Sequence, residues 1–381
     1  MTLSRRNFIH ILGGGVVLAA AAGGAWAGTR DPASARAPWR VAGIDDTDIR
    51  REALSYAILA PNPHNRQPWL VEFNGTDSLT LYCQLDRRLP ETDPFDRQIT
   101  IGLGAFLEIL SMTAAERGWR AEITAFPEGE PHPRLDRRPV AQVRFRKDKG
   151  IGRDPLFGYV QRRRTNRQVY DGRPVTAEVL GQAAGAARIV RMNWTNDPAR
   201  RKALSSLAIA ALATEMGLPR KTWETVDALR VGKAEIDLRP DGIALAGPVV
   251  EGAYELGLFD PVDLLDSRSS VSKRERNDER AQIESSAAFA WLVTDGNSRA
   301  GQIAAGRDYL RFCLAATAAS LSMQPLSQAL QEYPEMAGHY RDMRHELGIG
   351  SDQALQMFVR LGYGPAVEPA PRWPYESRIR A

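Results

Sequence analysis

Two polar segments hold the side chains best suited to binding a ligand. The loop 60–69 contains Asn65 and Gln67, whose carboxamides each offer hydrogen-bond donors and an acceptor. The run 162–167 is rich in arginine and includes Thr165. Guanidinium groups match phosphate oxygens in bidentate geometry, and a neighbouring hydroxyl adds a further donor. This residue mix suits a phosphate better than a diffuse basic patch would.

Each segment also has an ordinary structural interpretation. Taken alone, an arginine run on a helix is more often a solvated surface. Asn65 and Gln67 could instead brace a turn, and Trp69 is expected in the core. The presence of both segments in one chain favours the binding interpretation for the arginines.

The order of residues in both segments resembles the nitroreductase family. Residues 61–69 resemble the family's loop Pro-Ser-x-x-Asn-x-Gln-Pro-Trp, with Asn62 in place of the serine. Residues 163–167 resemble its Arg-Arg-Ser-x-Arg segment, which holds the phosphate and ribityl chain of FMN; one extra residue precedes Tyr170. The resemblance implies FMN as the cofactor. If Arg167 reaches the N1/O2 edge of the flavin ring, it would stabilise the anionic reduced flavin and raise its potential.

Two later segments extend the resemblance. Arg372 follows a stretch similar to the family's closing strand, after which a basic residue reaches the phosphate. At 322–327 the family places backbone groups at the reactive edge of the flavin. Pro325 has no N–H, so such a contact would come from the amide of Leu326 or Ser327. The cofactor-binding residues implied by the resemblance are Pro63, Asn65, Gln67, Arg163, Arg164, Thr165, Arg167, Pro325, Leu326, Ser327 and Arg372.

The two motifs are divided between two related halves of the chain. The first half keeps the Gln-Pro-Trp loop, but the acid Glu52 stands where the arginine segment would have its hydroxyl. The second half has the arginines, but its segment 189–196 contains no Gln-Pro-Trp counterpart. Ordinary nitroreductases are homodimers with two equivalent sites, and a fused pair with complementary losses retains one. The pattern is similar to the duplicated, Acg-like branch of the family, and it implies a monomer with one FMN per chain.

Helices and strands of both halves must position these motifs. The helix after the second-half strand can be laid on its first-half counterpart by matching Gly104 to Gly306. We therefore predict an α+β, nitroreductase-like fold of two fused half-units, each with an antiparallel sheet flanked by helices, pseudo-dimeric within one chain. Apolar spacing predicts helices near 45–59, 102–118, 154–160 and 304–321, with strands near 70–73, 78–84, 120–126, 140–146 and 289–294.

The expected division places the first half at 45–150 and the second at 151–381. Within the second half, 217–286 has the character of an insertion, which forms either a lid or plain surface packing. Its charged run at 273–276 is expected to be a solvated face. Residues 28–44, rich in alanine, arginine and proline, are expected to form a solvated linker.

Residues 1–27 have the parts of an export signal. Arg5 and Arg6 precede an apolar, glycine-rich run that ends in small residues, as in twin-arginine signal peptides. A membrane anchor is the alternative, although the run is short for a bilayer and its glycines weaken a helix. The twin-arginine export machinery is therefore an expected partner. A periplasmic or extracellular location follows, with no stable membrane span after cleavage.

Composition excludes several other classes. The formal net charge is only +4, and Arg5 and Arg6 contribute two of those charges, so nucleic acid is not an expected partner. The histidines lack metal-ligand spacing, and no metal is expected. Cys83 and Cys313 are expected to be buried, with a single disulfide as the alternative. No catalytic acid, base or nucleophile is identifiable.

The sequence favours an FMN-dependent oxidoreductase that passes hydride or electrons to a small-molecule acceptor. The acceptor class is a nitro compound or a quinone, with NAD(P)H as a candidate donor. A flavin-binding or flavin-sequestering protein without turnover is the alternative. An exported structural protein that has lost its flavin is a third.

Overall fold

Two four-stranded antiparallel sheets, each flanked by helices, make up the body of the molecule. The computed structural model describes residues 29–43 and 47–380. The predicted export signal lies outside the described residues and stays a prediction. One sheet is built only from residues 69–147, and the other only from residues 191–362. The α+β class with two half-units is confirmed.

The first half contains a sheet with the strand order β1-β2-β4-β3. Buried and exposed residues alternate along β4, so one face of this sheet packs on the core while the other faces solvent. The elements are α1 (Ala33–Arg36), α2 (Pro38–Val41), α3 (Ile49–Ala57), β1 (Trp69–Asn74), β2 (Ser78–Cys83), α4 (Arg97–Glu116), β3 (Trp119–Ala125) and β4 (Ala141–Lys147).

The second half contains a sheet with the strand order β5-β8-β10-β9. Its central strands β8 and β10 are buried almost throughout, because helices cover both faces. The elements are α5 (Ala177–Ala184), β5 (Arg191–Thr195), α6 (Pro198–Met216), α7 (Pro219–Asp227), β6 (Leu229–Val231), α8 (Gly232–Leu238), β7 (Ile243–Leu245), α9 (Pro248–Glu255), α10 (Ser270–Glu284), β8 (Ala288–Asp295), α11 (Arg299–Ala318), β9 (Ser322–Pro325), α12 (Ala337–Leu347) and β10 (Gln353–Gly362).

Helices α4 and α11 pack against each other at the centre and join the two halves. They approach closest at Gly104 and Gly306, the two glycines that the sequence comparison of the halves pairs. A Cβ on Gly104 would overlap the carbonyl oxygen of Ile303, and one on Gly306 would overlap that of Ile101. Glycine is therefore required at both positions for the backbones to meet. Although α4 is long and apolar enough to cross a membrane, it is mostly buried as a core helix here.

Side-chain caps fix where the two central helices begin. The Asp93 carboxylate accepts hydrogen bonds from the amides of Gln98 and Ile99, at 3.0 and 2.9 Å. The Ser298 hydroxyl accepts one from the amide of Gly301 at 3.1 Å. Such caps satisfy amides that have no partner in the first helical turn, and each contributes about 1 kcal/mol.

Residues 29–43 are not the solvated linker that their composition predicts. They form the short helices α1 and α2, and Trp39 is only 4% exposed within the core of the first half. The indole of Trp39 donates a hydrogen bond to the carbonyl of Ala370 at 2.7 Å. Burial of this one large ring outweighs the polar composition of the segment around it.

The C-terminal tail returns to the first half after β10. Ile379 forms an isolated parallel bridge with Val71, and the amide of Arg380 donates to the Val71 carbonyl at 2.8 Å. Arg372, earlier in the tail, inserts its side chain beneath α3 and donates to the carbonyl of Ile58 at 2.8 Å. The tail of one half thus completes the packing of the other.

The insertion 217–286 packs across both halves and does not lie apart from the body. The Glu224 carboxylate on α7 accepts hydrogen bonds from the amides of Glu91 and Thr92, both at 2.8 Å. The amide of Gly242, just before β7, donates to the carbonyl of Asn65 at 3.1 Å. The insertion therefore reaches the loop that the sequence identifies as a candidate ligand-binding segment.

Candidate functional site

A cavity of about 400 Å³ lies where the two halves, the insertion and the C-terminal tail meet. Its size falls in the range of small-molecule and cofactor sites. Most of the expected cofactor-binding residues line it, and they come from segments far apart in the sequence: Pro63, Asn65, Arg163, Arg164, Thr165, Arg167, Pro325, Ser327 and Arg372.

The Gln-Pro-Trp loop forms one wall of this cavity in a strained conformation. His64, Asn65 and Gln67 have φ values of 45°, 50° and 50°, in the left-handed region that non-glycine residues rarely adopt. The Asn62 carboxamide oxygen accepts a hydrogen bond from the Gln67 amide at 2.7 Å and helps to hold this conformation. Such backbone strain persists only where surrounding contacts enforce it, and it is concentrated at functional sites.

Gln67 supports the loop from behind and does not line the cavity. Its side-chain amide donates to the carbonyl of Pro240 at 2.7 Å, and its oxygen accepts from the amide of Trp373 at 3.0 Å. The side chain is fully buried. Protein groups thus contact both ends of the carboxamide, and the expected contact between Gln67 and a ligand stays a prediction. Trp69 lies in the core, as expected.

Asn65 does line the cavity, and it is tied to the C-terminal tail. Its side-chain amide donates to the carbonyl of Pro371 at 3.0 Å, while its oxygen accepts a hydrogen bond from Arg372. The first-half loop and the second-half tail are thereby fixed to each other at the edge of the cavity.

Arg163, Arg164 and Arg372 form a cluster of guanidinium groups at one end of the cavity. Arg163 and Arg372 are only 4% and 2% exposed. Among the described residues, none of the three forms an ion pair with a carboxylate; they donate to backbone carbonyls and, from Arg372, to the carboxamide oxygen of Asn65. The Nε atom of Arg163 is buried and has no hydrogen-bond partner in the described part of the chain. The cluster therefore has donor capacity and positive charge that the protein does not use.

The pKa values of two of these arginines are lowered, because burying clustered positive charges is unfavourable. Burial, together with the charge of Arg163, lowers the pKa of Arg164 to about 10. Burial, followed by repulsion from Arg163 and Arg164, holds the pKa of Arg372 well below its ordinary value. Buried charges of one sign are unfavourable without a counter-charge. An anion bound between these guanidiniums would relieve the repulsion.

The opposite end of the cavity is acidic. Glu215 on α6 and Glu279 on α10 both line it. Burial raises the pKa of Glu215 to about 7 and that of Glu279 to about 8; the neighbouring Glu275 adds to the second shift. One oxygen of Glu215 is buried and has no partner within the described residues. The cavity thus has one cationic end and one end with carboxyl groups that hold their protons near neutral pH.

Arg167 and His64 also line the cavity. Arg167 is exposed and lines the cavity, and its charge acts on both His64 and Glu279. Burial, together with the charge of Arg167, lowers the pKa of His64 to about 4. His64 is therefore neutral at physiological pH, and its buried Nδ1 atom has no partner among the described residues.

In the segment after α11, one of the two backbone amides expected to contact a ligand is used by the protein itself. Leu326 packs in the core, and its amide donates to the carbonyl of Phe358 at 2.8 Å, so it cannot serve a ligand. Pro325 and Ser327 line the cavity. Of the two amides that the sequence left open, only that of Ser327 remains available.

Several cavity residues have no signal in the sequence. Trp39 lies in a segment whose composition predicts a linker, and Glu279 follows a charged run that predicts a solvated face. Glu215 belongs to a helix with no recognisable motif. Cys83 and Cys313 are both buried free thiols, as expected, and no metal-binding group of side chains occurs among the described residues.

Comparisons with known proteins find relatives along nearly the whole chain. No family model matches. The chain is 28% identical over 343 residues to "Putative NAD(P)H nitroreductase Rv3131" of Mycobacterium tuberculosis, which covers 86% of this chain and 89% of the relative. It is 34% identical over 83 residues to the protein of the same organism named acg, covering 21% of this chain and 24% of that protein.

Solved structures also align with parts of the chain. The FMN-dependent nitroreductase NfnB from Mycobacterium smegmatis, in complex with NADPH, aligns at 18% identity with a TM-score of 0.36, covering 59% of this chain and 97% of that one. A nitroreductase with bound FMN from Bacteroides fragilis aligns at 12% identity with a TM-score of 0.33, covering 56% and 92%. Scores of this size leave the architecture to be argued from the sheets and helices described above.

Proposed function

We propose that this chain is a nitroreductase-superfamily flavoprotein that holds one FMN between its halves and transfers electrons to a small-molecule acceptor. NAD(P)H is the proposed donor, and a nitro compound or a quinone is the proposed acceptor class. The arginine cluster is the observation that carries the proposal: Arg163 and Arg372 are buried, Arg164 is half-buried, and a bound anion would supply the counter-charge that the described carboxylates do not. A phosphate monoester on a cofactor meets that requirement.

The residues at the cavity suit FMN. Arg163, Arg164 and Arg372 would hold the phosphate, with the Thr165 hydroxyl as a further donor. The amide of Ser327 would serve the polar edge of the ring. A bound flavin supplies two-electron transfer, and the protein's part is to bind the cofactor, orient it and set the charge around it. Arg167 is the cation best placed to favour a negative charge on the ring.

One FMN per chain follows from the loss of the second site. At the corresponding place in the first half, Arg50 pairs with Asp48 at 2.6 Å, so its charge is already neutralised. Glu52 is buried there and pairs with Arg117 at 2.5 Å. A phosphate would meet a buried carboxylate at that position. This difference between the two halves supports a monomer that is built as a pseudo-dimer and has a single working site.

Purified protein tests the proposal directly. We expect a flavin absorbance spectrum from protein isolated from its native host, with one FMN released per chain on denaturation. Arg163→Gln should lose the flavin, whereas Arg173→Gln, at an exposed arginine outside the cavity, should keep it. Protein that is colourless and does not take up added FMN would contradict the proposal, as would two FMN per chain.

Flavin storage without turnover is the second candidate, and the insertion favours it. Asp241 pairs with Arg87 at 2.7 Å and accepts from the indole of Trp373 at 3.0 Å, which fixes residues 242–244 against the cavity. A wall held this firmly would exclude a second substrate.

Anaerobic mixing with NADPH and then a quinone separates the two candidates. Bleaching followed by recovery of the flavin absorbance supports the enzyme, and an unchanged spectrum supports storage.

We also propose that the protein is exported by the twin-arginine route to a periplasmic or extracellular location. The paired residues Arg5 and Arg6 before an apolar run support this. Replacing both with lysine should leave the protein in the cytoplasm, as measured by fractionation. Unchanged export of that variant would argue for another route.

A further inference from the structure

Three hydrogen bonds fasten residues 29–43 to two separate parts of the molecule around the cavity. The Trp39 indole donates to the carbonyl of Ala370 in the tail at 2.7 Å. The Trp39 carbonyl accepts from the Gln161 side chain at 2.9 Å, directly before the arginine segment. The Ala35 carbonyl accepts from the amide of Arg372 at 2.8 Å. The docked segment therefore contacts the elements that carry all three clustered arginines.

The ring of Trp39 contacts these arginines itself. Its centroid lies 5.7 Å from the guanidinium carbon of Arg163, 4.9 Å from that of Arg164 and 5.2 Å from that of Arg372. Each distance is within the range at which a cation is attracted to an aromatic face. A single buried indole thus holds three cations in one group, and no other described aromatic ring contacts all three.

A fourth guanidinium, from the docked segment, also reaches the cavity. Arg36 on α1 lines it, and its Nε atom is buried without a hydrogen-bond partner among the described residues. Its terminal nitrogen pairs with Asp31, and Glu368 lies 3.9 Å away. Together with the unpartnered Nε of Arg163, this leaves two buried donors on residues that line the cavity.

We propose that residues 29–43 complete a binding site for a phosphate monoester, in which Trp39 is a positioning residue for the arginine cluster and Arg36 is a further binding residue. This rests on the proposed function in naming FMN as the ligand. Without an anion, the clustered cations repel one another and oppose the docking of the segment that holds them together. With a bound phosphate, the same charges attract their ligand, so phosphate binding and docking of the segment stabilise each other.

A comparison of FMN with riboflavin tests this, because the two differ only in the phosphate. Trp39→Leu should weaken FMN binding by about tenfold or more while riboflavin affinity stays unchanged. Trp39→Phe keeps an aromatic face and should recover most of the affinity. Trp223→Phe, at a tryptophan that is 54% exposed on α7, is the matched control and should change neither. Equal loss of both ligands in Trp39→Leu would overturn the proposal, since it would mean a general structural role.

Limited proteolysis gives a second measurement. It uses the unaltered full chain, so a folding defect caused by a substitution cannot affect the result. Arg36 and Arg40 lie within the docked segment and are trypsin sites. FMN and inorganic phosphate should each slow cleavage there several-fold, and riboflavin should not. Protection by riboflavin equal to that by FMN would overturn the coupling. Protection by inorganic phosphate but not by FMN would keep the phosphate site while contradicting the proposed flavin function.

Discussion

Gly104 and Gly306 face each other where the two central helices cross, with no room for a side chain on either. These are the two glycines that the sequence comparison of the halves pairs. Everything that the cavity needs from opposite halves, including Asn65 and Arg163, depends on this close approach.

Adding a methyl group at this crossing should therefore destabilise the whole molecule. We expect Gly104→Ala or Gly306→Ala to lower the free energy of unfolding by about 1–3 kcal/mol, since the backbones must separate. Gly181→Ala on α5 is the control, because a Cβ there meets nothing within 4 Å. Thermal unfolding of the three variants measures the effect. An alanine tolerated at either crossing glycine would show that the helices can shift without cost.

The cationic end should bind the phosphate through charge, and Arg164 provides a clean test. Among the described residues, Arg164 donates hydrogen bonds only to the nearby carbonyls of Gln161 and Arg163, and its other contact is with the Trp39 ring. Arg164→Gln should weaken FMN binding by about 1.5–3 kcal/mol, the usual value of a charged hydrogen bond. The neighbouring Arg162, which is exposed and packs on Tyr159, is the control as Arg162→Gln. Equilibrium titration followed by flavin fluorescence compares the two, and equal affinities would remove Arg164 from the site.

Glu279 should make stability depend on pH in a predictable direction. Burial raises its pKa from 4.5 to about 8, against the opposing charges of Arg167 and Arg360. Between pH 4.5 and 8 the unfolded chain has lost this proton while the folded chain still binds it, so stability falls as pH rises through that window. Glu279→Gln should remove this fall. The difference in the free energy of unfolding between the variant and the original chain should therefore be roughly 1–3 kcal/mol more favourable to the variant at pH 9 than at pH 5.

Chemical denaturation at several pH values measures this dependence. Glu284→Gln is the matched control, since Glu284 is exposed at the end of the same helix α10. Glu275 and Glu215 also act on Glu279, so the double variant with Glu275→Gln should show a smaller additional change. Parallel pH curves for the original chain and Glu279→Gln would show that the carboxyl ionises normally.

Arg167 should set the redox potential of bound flavin. Its positive charge at the cavity would stabilise an anionic reduced ring, so Arg167→Ala should lower the midpoint potential. The loss of this cation should also raise the pKa of Glu279 further, because Arg167 lowers it in the present arrangement. Spectroelectrochemical titration measures the first effect, with Arg162→Gln as the control. An unchanged potential would remove Arg167 from the flavin environment.

Some residues that line the cavity can be predicted from short sequence motifs alone. The arginines at 163–167 and the loop around Asn65 are recognisable because their spacing is short, and the Gly104 and Gly306 match required only that the two halves be aligned. The strand at 289–294 follows from an unbroken apolar run and is confirmed in β8.

Residues whose roles depend on distant partners could not be assigned in this way. Gln67 suits a ligand by type, but Pro240 and Trp373 use both ends of its carboxamide, and neither partner is near it in sequence. The segment 29–43 has a polar composition, and only the tertiary contacts of Trp39 order it. Glu279 lies on a helix with many charged residues of both signs, and nothing in that local sequence distinguishes it as a cavity residue.

The position of Arg372 also has a consequence for the order of synthesis. This arginine follows β10, the last described strand, yet its side chain lies beneath α3 of the first half and within the phosphate cluster. The ribosome therefore makes both sheets, the insertion and the Gln-Pro-Trp loop before the final cation of the cluster exists. A nascent chain can fold its first sheet early, but it cannot assemble the whole anion site until translation has passed residue 372. A cofactor that needs this cation would therefore be captured only after residue 372 has been made.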